Sequence, residues 1–515
     1  MSSLRPTLPE VHVARQSLAA LAGALRARGL AETPVGPADA LIDDVTIDSR
    51  RARPGVLFAA VAPDTRSGRD GHDFVDDALA RGASGALVSA GWLAAQTGER
   101  LPGAAFVPAA DTREALAQAA AEVYGRPGDH LALIGVTGTN GKTTTVFLLH
   151  HLLTALGHTA GLVGTVENRI GDARYATAFT TPEAPTLQRL LRAMVEGGCT
   201  AAAMEVSSHG LALDRVGALA FDVAVFTNLS HDHLDYHGTA AEYEAAKKRL
   251  FDGLAADAVA VVNADDPAGA RMIAGTAGRV VTYGTSPQAD VRVDVLDNTL
   301  DGLRLRLDGD VRRYRMRGRF NALNLAASYA AGLALGHDRA AVLDALGAAP
   351  GVPGRFETVR AEGQPGGVLG VVDYAHTPDA LDNVLATARE IVPAGRQLWV
   401  VFGAGGDRDA TKRPEMAAVA QARADRVVLT SDNPRSEDPE AILDDVAAGL
   451  ADPTAATRIA SRAEAIGWAA REAAPGDVIV VAGKGHETYQ ILGDTRHDFD
   501  DRAVLRDALT LRADA

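Results

Sequence analysis

Apolar positions along this chain gather into short runs separated by longer stretches of helical periodicity. The first part carries VLFAAV (56–61) and SGALVSA (84–90) between Ala-rich stretches. The middle carries LALIGV (131–136), AAAMEV (201–206), FDVAVF (221–226) and DAVAVVN (257–263). The last carries GVVDYA (370–375), LWVVFG (398–403), RVVLTS (426–431) and DVIVVAG (477–483). Short apolar runs alternating with helical patterns predict parallel sheets covered on both faces, an α/β fold. SLAALAGALRAR (17–28) repeats Leu18, Leu21 and Leu25 at helical spacing, with Glu10 and no compact basic segment ahead of it. That predicts an amphipathic core helix rather than a secretory leader.

Gly and Pro crowd together at 124–129 and again at 347–354. Read as joints, they divide the chain into 1–125, 126–350 and 351–515. A length of 515 residues exceeds what one core serves, which agrees with three units. The net charge of -15 argues against a nucleic-acid binder. Cys199 is the single cysteine, so neither an internal disulfide nor a cysteine zinc site can form. No run approaches the ~18 apolar residues of a membrane helix, and the expectation is a cytoplasmic protein without membrane insertion.

The unusual residues fall at or just after the apolar runs, where open α/β sheets bind ligands. After LALIGV comes GTNGKTT (138–144), followed by the apolar helical run VFLLHHLL. Strand, small residues, Lys-Thr-Thr and helix make a phosphate cradle: backbone N–H groups face the phosphates, Lys142 reaches the terminal ones and Thr143 suits magnesium. The generic spacing would want a glycine at 136, where this chain has valine. Glu205 ends another run and is read as a magnesium or water-orienting carboxylate beside that loop. His231, His233, Asp235 and His237 resemble the dinuclear zinc signature of metallo-β-lactamase-like hydrolases. Tyr236 displaces the last histidine from that register, and zinc hydrolysis would leave the phosphate loop unexplained. Three polar turns, AGGDRD (404–409), SDNPRSEDP (431–439) and AGKGHETYQ (482–490), suggest a pocket for an anionic polar substrate.

Over essentially its whole length the sequence resembles the Mur ligases, amide-forming enzymes of peptidoglycan precursor synthesis. The resemblance rests on GTNGKTT, MEVSSHGL, FTNLSHDHLDYHG, FNALNLAAS, GRFE, VDYAHTPDAL and GKGHE. That family's phosphate loop takes its glycines at Gly138 and Gly141 and needs none at 136. DSR (48–50) and DNPR (432–435) are similar to the members that add meso-diaminopimelate to UDP-N-acetylmuramoyl-L-alanyl-D-glutamate. The resemblance implies a Rossmann-like UDP-binding domain, a central P-loop ATPase domain with a parallel sheet and a Rossmann-like C-terminal domain. It implies ATP as co-substrate, Mg2+, an acyl phosphate and a monomer.

Carried over residue by residue, the resemblance gives ATP to Gly138, Thr139, Asn140, Gly141, Lys142, Thr143, Thr144, Asn321, Asn324, Arg355 and Asp373. It gives the metal to Thr143, Glu205 and His233, with Lys142, Lys247 and His233 catalytic and Lys247 carbamylated to N6-carboxylysine. Ile47, Ser49, Thr180, Thr181, Ser207 and Arg215 would hold the UDP-linked substrate. Arg408, Asp432, Asn433, Pro434, Arg435, Gly483 and Glu487 would hold meso-diaminopimelate. The loop at 62–69 (APDTRSGR) is longer than the family's usual one. Folylpolyglutamate synthases share the loop chemistry but lack a DNPR-type pocket and this N-terminal part. A GTPase-type switch would carry an Asn-Lys base-reading pair, and none occurs.

Overall fold

The computed structural model describes residues 5, 7–63, 68–96, 103–361 and 366–513. Residues 64–67 of the long 62–69 loop lie outside the described residues.

The first sheet holds four parallel strands in chain order: Asp44–Thr46, Val56–Ala59, Gly85–Ser89 and Phe106–Ala109. The helix Leu18–Ala27 packs here, started by Ser17, whose hydroxyl accepts from the Ala20 N–H at 3.1 Å. Leu18, Leu21 and Leu25 are fully buried against the helix Thr112–Val123, as the leucine spacing requires.

The middle sheet has eleven strands and is mixed. Its parallel block runs Ala160–Val163, Ala201–Glu205, Ala132–Thr137, Val223–Phe226, Val259–Asn263, Arg279–Gly284, then the start of Val291–Thr299. A hairpin, Asn168–Ile170 with Ala173–Tyr175, adds antiparallel strands at one edge. Gly302–Leu307 and Asp310–Tyr314 do so at the other. These edges were not foreseen as strands, because their apolar residues alternate instead of running on. Leu303, Leu305 and Leu307 are buried while Arg304 and Arg306 point out. One face of that period needs no more than half the positions to be apolar. The central strands are covered on both sides. Ile134 and Val136 pack under the helices Lys142–Ala155 and Arg319–Ala334, and Leu133 packs under Ala184–Glu196.

The third sheet orders its strands Glu357–Val359, Leu369–Asp373, Val478–Ala482, Leu398–Phe402, Arg426–Leu429 and Ala456–Arg458. All but the first pairing are parallel. In the middle sheet, Ala132–Thr137 has Ala201–Glu205 on one side and Val223–Phe226 on the other. The connection leaving Ala132–Thr137 runs to the Ala160–Val163 side of the sheet, and the one leaving its neighbour Ala201–Glu205 runs to the Val223–Phe226 side. The loop after Ala132–Thr137 opens into the crevice that such a switch in strand order creates.

Candidate active site

Val136 belongs to the strand and is fully buried, its carbonyl accepting from the Val206 N–H at 2.8 Å. The loop proper begins after it. Gly138 has φ +144° and Gly141 φ +88°, and a Cβ at either would collide, with Thr227 Oγ1 and with Asn324 Oδ1 respectively. Those two positions need glycine for backbone shape and close approach, and position 136 does not. Gly141 precedes the helix Lys142–Ala155, so the first N–H groups of that helix line the loop. Lys142 Nζ folds back onto the carbonyls of Gly138 and Thr139, each at 2.8 Å. Burial pulls its pKa below the ordinary lysine value, with Glu205 and Asp232 opposing. Thr144 is buried one position past Thr143 on the same turn.

Glu205 ties this loop to a second group of residues. Its Oε2 accepts from Thr143 Oγ1 at 3.0 Å and from Thr165 Oγ1 at 3.1 Å, and its Oε1 from the Thr165 N–H at 2.8 Å. Thr165 and Thr180 share a hydroxyl hydrogen bond of 2.9 Å. Thr181 donates to the Glu205 carbonyl at 2.9 Å and accepts from the Ser207 N–H at 2.9 Å. Arg215 donates to the Thr181 carbonyl at 2.9 Å and pairs with Glu183 at 2.5 Å. Thr180, Thr181, Ser207 and Arg215 thus form one connected network with Glu205. Arg215 Nε and Ser208 Oγ are buried there without a partner among the described residues. Buried donors left so are what a polar ligand would satisfy. Ile47 and Ser49 lie apart in the first unit, just past the strand Asp44–Thr46. The Ser49 hydroxyl hydrogen-bonds Asp77 and is the main cause of that carboxyl's lowered pKa.

Lys247 comes up beneath the loop from the helix Ala240–Asp252, which Thr239 caps. Its Nζ donates to the Gly138 carbonyl at 3.0 Å and sits 4.2 Å from the Tyr243 ring centre. The residue is 1% exposed. Burial, and then the Lys142 charge, hold its pKa well below the lysine range. Lys248 instead pairs with Asp252 on the outside of the helix. His233 has left-handed backbone, φ 55°, and its half-exposed ring stands 3.5 Å from the Asp232 carboxylate. Its ring lies 4.9 Å from that of His209, which also contacts His237 at 5.4 Å. Among the described residues no group of three His, Cys, Asp or Glu converges to hold a metal ion.

Asn321 and Asn324 hydrogen-bond each other at 2.9 Å in the helix Arg319–Ala334, and Thr145 joins Asn324 at 3.4 Å. The third unit reaches the same place. Arg355 donates to Thr143 Oγ1 at 3.2 Å and stacks over Tyr374 at 4.5 Å. Asp373 accepts from the Phe356 and Ala375 N–H groups at 2.6 and 2.9 Å, and burial raises its pKa against the pull of Arg355.

The DNPR turn is pinned on two sides. Gly406 N–H donates to the Asn433 carbonyl at 2.9 Å, and Arg435 N–H to the Ile491 carbonyl at 3.2 Å. Arg435 has φ 54°, and its Nη1 donates to the Gly406 carbonyl at 2.7 Å. The Pro434 carbonyl accepts from Glu437 N–H at 3.1 Å. Asn433 Nδ2 donates to Glu487 at 2.9 Å. Gly483 lies against the Asp432 carboxylate so closely that a Cβ would run into it. Arg408 is exposed next to this turn, donating to the Asp407 carbonyl at 2.9 Å.

Sequence reasoning missed two supports of this pocket. Lys484, fully buried, donates to Glu487 at 2.9 Å and Asn433 at 3.1 Å. Its signal was present in the AGKGHETYQ turn, where a lysine beside two glycines passes for an exposed residue. Arg462 is buried against Asp501 in a two-pronged pair, both bonds at 2.7 Å. It also donates to the carbonyls of Ser431 and Ala482, the residues just before Asp432 and Gly483. It comes from a helix with no motif, so no sequence signal marked it.

The chain is similar to known proteins. Residues 136–332 match the Mur ligase middle domain, and residues 354–485 match the Mur ligase glutamate ligase domain. A UDP-N-acetylmuramoyl-L-alanyl-D-glutamate–2,6-diaminopimelate ligase of Geobacillus thermodenitrificans is 46% identical over 478 residues, covering 90% of this chain and 94% of that protein. Its counterpart in Cytophaga hutchinsonii is 42% identical over 482 residues, covering 92% and 96%. A solved structure of a ligase with the same name superposes with a TM-score of 0.64 at 36% identity, over 92% of this chain and 95% of that one. With the phosphate loop, the Glu205 network and the three sheets in place, the match over nine-tenths of its length settles the family: the chain belongs to the Mur ligases.

Proposed function

We infer that the protein is an ATP-dependent ligase that joins meso-diaminopimelate to the D-Glu side-chain carboxylate of UDP-N-acetylmuramoyl-L-Ala-D-Glu. The observation that carries this reading is the double use of Glu205. Its side chain meets Thr143 of the phosphate loop, and its carbonyl meets Thr181 of the network that ends in Arg215. Nucleotide and carboxylate acceptor would therefore meet at one residue. The two substrates are those in the relatives' name.

In the first step the D-Glu carboxylate attacks the γ-phosphorus of ATP, the bond to the bridging oxygen breaks, and ADP leaves. In the second the amine attacks the acyl carbon, loses a proton and expels phosphate. Carboxylate and triphosphate repel, so cationic groups must offset their charge. Lys142 and Arg355 do this at the phosphates, and Arg215 orients the peptide. Asn321 and Asn324, beside Gly141, would take the base, with Asp373 fixing the segment that carries Arg355. Ile47 and Ser49 take the uridine end.

Magnesium fits the residues at hand. Thr143 and Glu205 offer hard oxygen donors 3.0 Å apart, and the His233 imidazole, 3.5 Å from Asp232, would add a nitrogen. When bound, the ion would neutralise phosphate charge. Lys247 would serve as a carbamate: an uncharged amine can take up carbon dioxide, and the depressed pKa favours that form. An oxygen ligand would then stand where an ammonium would repel the ion.

Arg435 and Arg408 take the distal carboxylate of meso-diaminopimelate, with Asp432, Asn433, Pro434, Gly483 and Glu487 shaping the pocket. The reading takes domain boundaries at 125/126 and 350/351, next to the left-handed Gly125 and Arg126 and shortly before Gly354, φ +64°. The reading takes the protein as a monomer. The reading puts the reaction in the cytoplasm, where ATP is supplied. No helix among the described residues is long and apolar enough to cross a membrane.

The test is ADP release by the purified protein given UDP-dipeptide and ATP, with meso-diaminopimelate, L-lysine or no amine. Release stimulated by meso-diaminopimelate alone is expected. Preference for lysine would overturn the amino-acid assignment, and no amine-dependent release would overturn the ligase reading.

A further inference from the structure

The phosphate loop is touched by a carboxylate of the third unit that the chemistry above does not use. Asn140, at the loop's apex, has its main chain held within the middle unit. Its N–H donates to Asn228 Oδ1 at 2.9 Å, and its carbonyl accepts from Thr227 Oγ1 at 2.6 Å and Asn228 Nδ2 at 3.1 Å. Its side chain goes the other way. Asn140 Nδ2 donates to Asp379 Oδ2 at 2.8 Å, across 239 positions of sequence, and Ser230 Oγ joins the same oxygen at 3.4 Å. Asp379 lies in the first turn of the helix Pro378–Ile391, where the helix N-terminus favours a negative side chain. Asn383 Nδ2 braces its other oxygen at 3.3 Å.

We propose that Asp379 is a positioning residue that couples the phosphate loop to closure of the third unit, by holding the Asn140 side chain across the cleft. Three features carry this. The loop's main chain is already satisfied from its own unit, so the Asn140–Asp379 bond adds no local turn and reports solely on the neighbour. The helix bearing Asp379 begins four residues after Asp373–Tyr374, against which Arg355 is placed, so the latch and Arg355 move with one segment. Ser230, the second donor, follows the strand Val223–Phe226 and itself donates its N–H to Thr139 Oγ1 at 2.9 Å. Both sides of the loop are thus read by one carboxylate. Closure of the third unit sets the loop, and a set loop holds the third unit closed.

This rests on the ligase reading above, and its test separates the two. Wild type, Asn140→Ala, Asp379→Ala, Asp379→Asn and the Asn140/Asp379 double alanine variant are assayed for amine-dependent ADP release, with KM for each substrate and a thermal melt. Asp379→Ala is expected to lower kcat and raise KM for ATP, together about 5- to 30-fold in kcat/KM, and to leave KM for the UDP-dipeptide unchanged. Asp379→Asn keeps an accepting oxygen and should recover most of the loss. The double variant should be no worse than the poorer single one, because both remove the same bond. If the two losses multiply, if Asp379→Asn is as poor as Asp379→Ala, or if a well-folded Asp379→Ala matches wild type, the latch is wrong while the ligase reading stands. A wild type without amine-dependent release would strike the ligase reading instead.

Discussion

Arg355 donates through Nη2 to Thr143 Oγ1 at 3.2 Å, joining residues 212 positions apart. The same hydroxyl donates to Glu205, so one threonine is held from two units. Hydroxyl, carboxylate and guanidinium therefore converge just where the loop's helix begins.

Arg355→Met keeps the length of the side chain and removes its charge. We expect kcat for ligation to fall on the order of a hundredfold, as when one aimed donor is lost from a transition state. Affinity for the UDP-dipeptide, measured by calorimetry without ATP, should not change. Normal turnover would remove Arg355 from the chemistry.

Lys247→Ala should be inactive, and acetate or formate should restore part of the activity by supplying the missing oxygen ligand. Intact-protein mass spectrometry at neutral pH should find one added carbon dioxide on wild type and none on the variant. An active Lys247→Ala indifferent to added acids would refute the carbamate.

Arg435→Ala should raise KM for meso-diaminopimelate steeply and leave KM for ATP alone. Arg435 already spends one N–H on the Gly406 carbonyl, which fixes the guanidinium's plane and leaves its other donors for a carboxylate. Arg435→Lys cannot reproduce that fork and should not rescue. Discrimination against L-lysine in wild type should reach about 10⁴, since lysine would leave the guanidinium unpaired. Unaltered use of meso-diaminopimelate by Arg435→Ala would mean that the residue merely braces its turn.

Asp501→Ala leaves the Arg462 guanidinium buried without its partner, a change that costs about 3–5 kcal/mol. The melting temperature should drop markedly. At a temperature where the variant is folded, KM for meso-diaminopimelate should rise more than KM for ATP, because Arg462 also holds the Ser431 and Ala482 carbonyls. A loss of stability below about 1 kcal/mol by denaturant titration would contradict this account.

His150 has its pKa held down to about 4, by burial first and the nearby Arg169 charge second. In the unfolded chain it titrates near 6.5. Between those values the unfolded state binds the extra proton, so stability is complete above pH 6.5 and is lost as pH falls toward 4. His150→Gln should flatten the fall of stability with pH in that window, by on the order of 2–3 kcal/mol at its acid end. Identical pH slopes in both proteins would count against it.

The continuous apolar runs from LALIGV to DVIVVAG were legible because a strand buried on both faces must be apolar at every position. The edge strands Gly302–Leu307 and Asp310–Tyr314 were not, since a strand covered on one face alternates, and arginines on its open side hide the pattern. The phosphate loop was legible for a different reason. Its glycines, lysine and threonine act through backbone shape and local reach, and adjacent residues specify both. The valine at 136 was the one misfit, and it lies in the strand before the loop starts.

What the sequence by itself determined is the α/β class, the loop and the kinds of group gathered at the ends of the strands. Tertiary structure alone decided which of those groups meet. Glu205 reaches Thr143 and Thr181 at once because its strand lies beside the loop strand, an order the chain reverses in forming the sheet. Arg355 and Asp379 reach the loop from more than 200 residues away. Lys484 and Arg462 look like ordinary surface cations in the sequence and prove fully enclosed, because burial of a charge depends on partners that only packing brings within reach.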